Sequence, residues 1–273
     1  MRGNRTSPEE GWPGEFERIT VGKAEILART HAASWSRQAV LKHGSLYGAA
    51  RASAYRTLQG RGPLPVLTNP AGAGPEWAVR RYYRGGLMRV LGDRYLRTGR
   101  PRSFVELENS ARIEEMGFGT PRIVAAAIYP RGAVYRADLV TEFVPNTRTL
   151  AQELFCGNHP GEEPARDDDR REALACTARL IERLAEAGVY HRDLNADNVL
   201  IAREGQRVHA ILLDLDRCKV GEPGGPVVAG RLRTRLARSI RKLGRTHPWQ
   251  RNDAEERLTI EEMTRLLYEG TPS

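Results

Sequence analysis

The stretch HRDLNADN, residues 191–198, constrains this chain more than any other. It sets a histidine, an arginine, two aspartates and two asparagines between aliphatic flanks, with VLI following directly at 199–201. A helical pattern precedes it and a short strand-like run follows. Two readings account for so many polar groups there: an ordinary turn with a buried His and Asp network, or a site.

The rest of the chain narrows the choice. Residues 171–189, REALACTARLIERLAEAGV, put Leu174, Ala178, Ile181 and Ala185 on one helical stripe, with Gly188 as the C-terminal stop. Residues 208–217, VHAILLDLDR, read as a buried strand that ends in acids. Upstream, residues 52–86 alternate short β-prone runs with Gly, Pro and Asn, predicting hairpin turns at 60–62 and 69–75. An amphipathic helix is expected over 101–116, with Phe104, Leu107 and Ala111 at helical spacing and Ile113 or Met116 completing the stripe. Strands with a turn at Pro130–Gly132 are expected over 118–146, and residues 157–171 are polar and disordered in composition. A basic amphipathic helix is predicted at 230–245, and a closing helix follows, capped from Thr259 to Glu262. Strands come first and helices later, which predicts an α+β chain.

Length and charge exclude several classes. A chain of 273 residues with 40% hydrophobic content can bury a real core. Lys and Arg number 43 against 34 Asp and Glu, a formal charge of +9 that favours an anionic partner. Cys156, Cys176 and Cys218 are too widely spaced for a zinc ribbon or redox pair, and their odd count argues against a disulfide framework. The N-terminal residues lack the apolar core of a signal peptide, and no run of about 18 apolar residues occurs, so a soluble or peripheral protein is expected.

Asp193 and Asn198 are five positions apart, and Asp214 closes an apolar strand twenty-one residues after Asp193. This spacing suits phosphoryl transfer. That chemistry asks for in-line positioning and compensation of developing negative charge rather than covalent help. One carboxylate orients the attacking hydroxyl, and an amide oxygen and a second carboxylate hold Mg²⁺, a hard ion that prefers oxygen.

HRDLNADN followed by DLD resembles the catalytic and metal-binding loops of the protein-kinase-like superfamily. The resemblance implies a two-lobed fold: an N-lobe with an antiparallel sheet and one main helix, residues 21–144, and a mostly helical C-lobe, residues 145–273. Residues 1–20 are expected to be a flexible lead-in. It further implies Asp193 as the catalytic carboxylate, Asn198 and Asp214 as Mg²⁺ ligands, and ATP as phosphoryl donor. His191 and Arg192 build the loop. Asn195 stands where protein kinases carry lysine, and Asp214-Leu215-Asp216 stands where they carry D-F-G, which weakens a protein-substrate reading.

Further segments are similar to the 3-deoxy-D-manno-octulosonic acid (Kdo) kinases: VRRYYRGGLMRVLGDRYL at 79–96, RSFVELENSARIEEMGFGTPRIVAA at 102–126, VYRADLVTEFVPNTRTLAQEL at 134–154 and GRLRTRLARSIRKL at 230–243. Leu215 replaces a phenylalanine, and Phe118-Gly119-Thr120 replaces G-L-P. The resemblance covers residues 55–245 and implies transfer to the 4-hydroxyl of Kdo on a Kdo-lipid A precursor during lipopolysaccharide core assembly.

The same resemblance implies a nucleotide side. Gly60 and Gly62 would form a turn under which phosphates sit, although glycine favours plain hairpin turns as well. The phosphate-binding cation is Arg80 or Arg81; strand alternation sends them to opposite faces, and Ala78-x-Arg80 favours Arg80. Glu106 is its expected helix partner, with Glu108 about 200° round the helix and mainly solvated. Glu142 and Val144, within TEFVPN, would meet adenine.

Between Gly230 and Arg245 lie six arginines, one lysine and no acid, while Leu232, Leu236, Ile240 and Leu243 fall on one stripe. Such a helix docks its apolar stripe on the C-lobe and leaves a basic face. That face suits anionic lipid headgroups, and it implies peripheral attachment at the cytoplasmic face of the bacterial inner membrane. Competing functions are a protein or aminoglycoside kinase and a non-catalytic pseudokinase scaffold, the latter supported by Arg80 in place of lysine and a poor glycine loop. No nucleic-acid module is present, and no nucleic-acid partner is expected.

Overall fold

The structure is a computed structural model that describes residues 16–58, 62–83, 92–155, 166–205, 207–246 and 258–269. It divides into two compact units. The first takes residues up to Phe104 with Ile123–Thr141, and the second takes Val105–Arg122 and everything from Glu142 onward. The division therefore falls at 141–142, where the sequence suggested 144–145, and it assigns the segment 105–122 to the second unit.

The first unit opens with β1 (Phe16–Val21) and β2 (Ala24–Arg29), an antiparallel hairpin, so residues 16–20 of the expected lead-in are strand. Residues 1–15 lie outside the described residues. Then come α1 (Thr30–His43) and α2 (Leu46–Ser53), followed by β3 (Arg56–Leu58), β4 (Leu64–Leu67), β5 (Trp77–Arg81) and β6 (Tyr95–Leu96). The helix α3 (Arg102–Glu115) precedes a hairpin of β7 (Ile123–Arg131) and β8 (Val134–Glu142) that turns at Gly132. The sheet runs β1-β2-β7-β8-β5-β4-β3, with β6 beside β8. Both predicted hairpins are found, β3–β4 and β4–β5.

One main helix was expected with this sheet, and α1 and α2 correct that. They form because the chain supplies a stop and a cap between them. Gly44 adopts φ 73°, ending α1, and the Ser45 hydroxyl accepts a hydrogen bond from the Gly48 N–H at the start of α2. Their apolar faces cover one side of the sheet, where Trp77 and Val79 pack with Ala32, Leu46 and Tyr47. Trp35 meets Trp77 edge-on at 5.2 Å. Because β5 alternates, Trp77, Val79 and Arg81 share this helix-covered face, and Ala78 and Arg80 share the other.

The second unit holds β9 (Thr147–Thr149), α4 (Leu150–Phe155), α5 (Asp167–Glu186), β10 (Val189–His191), β11 (Val199–Glu204), β12 (Arg207–Leu212), β13 (Cys218–Val220), α6 (Gly225–Thr246) and α7 (Ile260–Leu266). Its core joins Leu174, Ile181 and Leu184 of α5 to Leu232, Leu236 and Ile240 of α6. The stripe predicted on α5 is buried at all four positions. Three aspartates occupy the first turn of α5, where the helix dipole favours negative charge, so its helix begins within the segment expected to be disordered. Residues 157–165 of that segment lie outside the described residues. On α3, Phe104, Leu107 and Ile113 are buried, Ala111 is partly buried and Met116 is exposed. The strand expected to be buried, β12, is only half-buried, because it forms the edge of the sheet β12-β11-β9. The predicted capping box of α7 is present, with Thr259 and Glu262 bonded reciprocally.

After α5 the chain must reverse within two residues to enter β10. Gly188 makes the reversal at φ 69°, and a Cβ there would overlap the Gly221 carbonyl oxygen. Gly132 has a similar φ of 61° with open space around it. Gly132→Ala should therefore cost about 1–2 kcal/mol from backbone conformation alone, and Gly188→Ala should cost at least about 1 kcal/mol more through overlap. Urea unfolding of both variants measures the difference; equal losses would disprove the steric account.

Candidate active site

The polar run of the second unit is built as a turn clamped at both ends. β10 pairs antiparallel with β13, opposing His191 to Cys218, so the run leaving β10 and the DLD turn entering β13 start from one ladder. The run then closes on itself. Asn195 caps a single 3-10 turn, its Oδ1 accepting from the Asp197 N–H at 2.9 Å, and the chain enters β11 at Val199.

His191 is fully buried and ties the two turns together. Its Nδ1 accepts from the Asp193 N–H at 3.2 Å, and its Nε2 lies 3.0 Å from the Leu213 carbonyl oxygen. An acceptor at Nδ1 and a carbonyl at Nε2 fix the neutral tautomer with its proton on Nε2. The Asp193 carbonyl accepts two side-chain amides, Asn195 Nδ2 at 2.8 Å and Asn198 Nδ2 at 3.0 Å. Leu213 N–H donates to the Asn198 carbonyl at 2.9 Å, a second link between the turns. Asp193 and Asn198 thus share one turn, and a backbone hydrogen bond joins Asn198 to Leu213, the residue before Asp214.

The donor atoms that Asn198 and Asp214 carry suit a hard cation. Asn198 is buried, and its amide nitrogen is spent on the Asp193 carbonyl, so its oxygen is the donor atom left for an ion. Asp214 sits in the left-handed region at φ 59°, ψ 54°, the turn that starts the 3-10 segment Leu215–Arg217. An amide oxygen and a carboxylate form a donor set that Mg²⁺ accepts and a soft metal does not. Arg192 is exposed, and its N–H donates to the Arg217 carbonyl, in keeping with a loop-building role.

Three positioning residues escaped the sequence reading. Asn109 of α3 donates its amide to the carbonyls of Leu215 at 2.7 Å and Cys218 at 3.2 Å, holding the DLD turn. Ser239 of α6 accepts from the Ala196 N–H at 3.2 Å. Arg235 of α6 donates to the Tyr190 hydroxyl at 3.0 Å. A polar side chain on an amphipathic helix was the only available signal, and it does not distinguish a buried tie from a solvated residue.

Of the other predicted residues, Glu106 is buried on α3, and Glu108 is half-buried rather than mainly solvated. In the segment TEFVPN the Glu142 N–H donates to the Arg122 carbonyl at 2.8 Å, and the Val144 carbonyl accepts from the Thr147 hydroxyl at 3.0 Å. Gly60 lies outside the described residues; a Cβ at Gly62 would come within 2.8 Å of the Tyr83 ring. In the first unit Arg80 stacks on Tyr82, its guanidinium 4.7 Å from the ring centroid. Arg81, on the opposite face, donates from Nε to Asp138 at 3.1 Å and from Nη2 to the Ser45 hydroxyl at 3.1 Å.

The family model for "Lipopolysaccharide kinase (Kdo/WaaP) family" matches residues 47–257. The chain belongs to this family. The matched span contains both clamped turns. Among its relatives, the protein named 3-deoxy-D-manno-octulosonic acid kinase in Haemophilus influenzae (strain PittGG) is 35% identical over 191 residues, covering 67% of this chain and 73% of the relative. One of the same name in Stenotrophomonas maltophilia (strain K279a) is 36% identical over 191 residues, covering 67% and 68%. A solved structure, "WaaP in complex with acyl carrier protein", superimposes with a TM-score of 0.45 at 17% identity, covering 85% of this chain and 86% of that one, a likeness too distant to bear on the site.

Cys218, opposite His191 in the β10–β13 ladder, carries a thiol. Burial pushes the Cys218 thiol far above its ordinary range, and the nearby carboxylates of Glu106, Asp216 and Asp214 push it further. Burial also raises Cys176 and Tyr129. The folded state then keeps protons that the unfolded chain releases, so this contribution to stability is whole below an unfolded thiol pKa of about 8.5 and is lost as pH rises beyond it. Each thiol should contribute a slope of up to about 1.4 kcal/mol per pH unit. Urea unfolding between pH 7.5 and 10 should show a falling midpoint, and Cys218→Ala should flatten it; an unchanged slope would show that the thiol is not held neutral.

Proposed function

We propose that this protein transfers the γ-phosphoryl group of ATP to the 4-hydroxyl of Kdo on a Kdo-lipid A precursor. The observation that carries the reading is that proteins named Kdo kinases from Haemophilus, Vibrio and Stenotrophomonas, 33–36% identical, align with about two-thirds of this chain. The clamped Asp193, Asn198 and Asp214 supply the chemistry such a transfer needs.

Asp193 accepts a hydrogen bond from the acceptor hydroxyl and takes its proton late, because an alkyl hydroxyl is far too weak an acid to be ionised beforehand. Its backbone is fixed on both sides, N–H on His191 and carbonyl on Asn195 and Asn198, so the carboxylate is aimed without reorganisation. Asn198 and Asp214 would hold Mg²⁺, which would supply compensation of phosphate charge. In the segment TEFVPN, the Glu142 carbonyl and the Val144 N–H are the groups left to meet adenine. In the first unit, Arg80 rather than Arg81 supplies the phosphate-binding cation, since strand alternation puts Arg81 on the helix-covered face and Arg80 on the other face with Ala78. The sequence stretch Gly60–Gly62, of which Gly60 lies outside the described residues, would contribute backbone N–H groups.

The acceptor's amphiphilic character suits a membrane surface, and α6 offers one. Among the described residues no helix is long and apolar enough to cross a membrane. On α6, Arg231, Arg238, Arg241, Lys242 and Arg245 are exposed. At about 100° per residue they fall within a stripe about 100° wide and about 21 Å long. We assign this stripe to the anionic cytoplasmic face of the inner membrane.

Purified protein with Mg-ATP and Kdo-lipid A precursor should yield a product heavier by one phosphoryl group in mass spectrometry, placed at the 4-position by NMR. An unmodified acceptor from protein that binds ATP would defeat the substrate assignment. Asp193→Ala should lower kcat by about 10²–10⁴-fold with nucleotide affinity and unfolding midpoint unchanged; full turnover would remove Asp193 from its role. Replacing Arg231, Arg238 and Arg241 together with Gln should weaken sedimentation with phosphatidylglycerol vesicles by on the order of 100-fold, at about 1 kcal/mol per basic residue. Equal partitioning of variant and parent would discard the stripe as the docking face.

A further inference from the structure

The helix-covered face of the first unit's sheet contains a cavity of about 410 Å³, lined by His43, Ser45, Arg51, Arg81, Tyr129 and Arg136 among others. None of these residues is assigned to phosphoryl transfer. The cavity opens where α1 ends and α2 begins, above β5 and β8. Its size lies within the range of about 300–1,000 Å³ typical of small-molecule sites.

The charges around it do not cancel. Three guanidinium groups line the cavity, from Arg51, Arg81 and Arg136. Two carboxylates answer them. Asp138 is fully buried beneath Arg81, 3.1 Å from its Nε, and also accepts the Tyr47 N–H at 2.9 Å. Asp93 lies 3.0 Å from Arg136 Nε and 3.7 Å from Arg81 Nη1. Arg51, exposed on α2, has no carboxylate partner among the described residues. The committed atoms also leave donors to spare. Arg136 uses Nε on Asp93 and keeps its terminal nitrogens, and Arg81 uses Nε on Asp138 and one terminal nitrogen on Ser45.

Forked guanidinium donors that outnumber their carboxylates suit a phosphate group, which accepts planar, paired hydrogen bonds on several oxygens at once. The buried Asp138 serves a separate purpose: it fixes Arg81 from below, so the side chain is preorganised and need not be ordered by a ligand. We propose that this cavity binds the phosphate group of a phosphorylated molecule, at a site distinct from the residues that carry out transfer. The volume exceeds what one phosphate fills, so the ligand carries a polar body or a second phosphate. A soluble phosphate ester and a lipid phosphate headgroup share this chemistry.

Pyrophosphate is the probe, titrated into the full chain by calorimetry at constant ionic strength. It should bind at one site, and saturating non-hydrolysable ATP analogue with Mg²⁺ should leave that affinity within about twofold. The double variant Arg51→Ala, Arg136→Ala should weaken it at least tenfold, and the double lysine variant should recover part of the loss. Both positions are exposed enough that unfolding midpoints should hold, and Asp193-dependent turnover at saturating ATP should persist. Vesicles of phosphatidylcholine with phosphatidic acid identify the source. If they displace pyrophosphate from the parent protein, the headgroup is a ligand; if they do not, the ligand is soluble. Loss of pyrophosphate binding on adding the ATP analogue would place the probe in the nucleotide site and overturn the proposal. So would equal binding by parent and double alanine variant, or no binding of either probe. None of these outcomes depends on the acceptor, so failure here is separable from failure of the Kdo assignment.

Discussion

The neutral imidazole of His191 is the interaction on which the second unit's chemistry depends. Its two nitrogens face two different backbone segments, the Asp193 N–H and the Leu213 carbonyl, and no other neutral side chain of that size offers one donor and one acceptor in opposed directions. Because the ring is fully buried, each of these hydrogen bonds is protected from water, and losing one would leave a backbone group unsatisfied at about 1–3 kcal/mol. The consequence is positional. Asp193 and Asp214 lie twenty-one residues apart in sequence, yet each is placed relative to the same ring. The Asn195 and Asn198 amides then fix the Asp193 carbonyl, so the N–H and the carbonyl of this residue are both engaged and its carboxylate is left to act.

Strand alternation resolves the two neighbouring arginines of β5 in a comparable way. Trp77 and Val79 are buried under α1 and α2, so Arg81 must share their face, and Arg80 must leave by the other. An unpaired guanidinium beneath two helices would be costly, and the fully buried Asp138 answers it from β8. Burial alone pushes the Asp138 carboxyl up, while Arg81 and the Tyr47 N–H pull it back toward ionisation. Arg81 is thereby a structural cation whose outer edge meets a cavity, and Arg80 is left on the face where Ala78 makes room.

What was legible in the sequence follows from how local each signal is. The α5 stripe, the Gly188 stop, the Thr259 cap and the hairpins are set by neighbours within a few residues, and all are found. The three oxygen-bearing residues of the site were legible because their spacing reflects one turn and one strand end. The segment containing α1 and α2 was not assigned, although Gly44 and Ser45 form a stop and a cap. α1 buries Ala32, Ser36, Ala39 and Val40, small residues that make a faint apolar stripe. Asn109, Ser239 and Arg235 were illegible for a different reason: each acts on a partner 43 or more residues away, and only the packed structure brings them together. The half-burial of β12 belongs to the same class, since edge position depends on which strands pair.

The arginines of α6 fall into two groups, paired and, among the described residues, unpaired. Arg233 and Arg235 flank the buried stripe and are occupied, the first by Glu182 and the second by the Tyr190 hydroxyl. Arg231, Arg238, Arg241, Lys242 and Arg245 lie further round, exposed, and make no ion pair among the described residues. Had stability alone shaped this helix, acids at i±4 from those cations would have been the inexpensive solution, each pair contributing about 0.2–0.5 kcal/mol. The helix contains none. Its cations therefore repel one another along about 21 Å of surface at a cost to the isolated fold, a cost an anionic surface relieves. The same helix reaches inward through Ser239 to the turn that carries Asp193 and Asn198. The exposed basic stripe and the tie to the turn that carries Asp193 and Asn198 are thus borne by different faces of one helix.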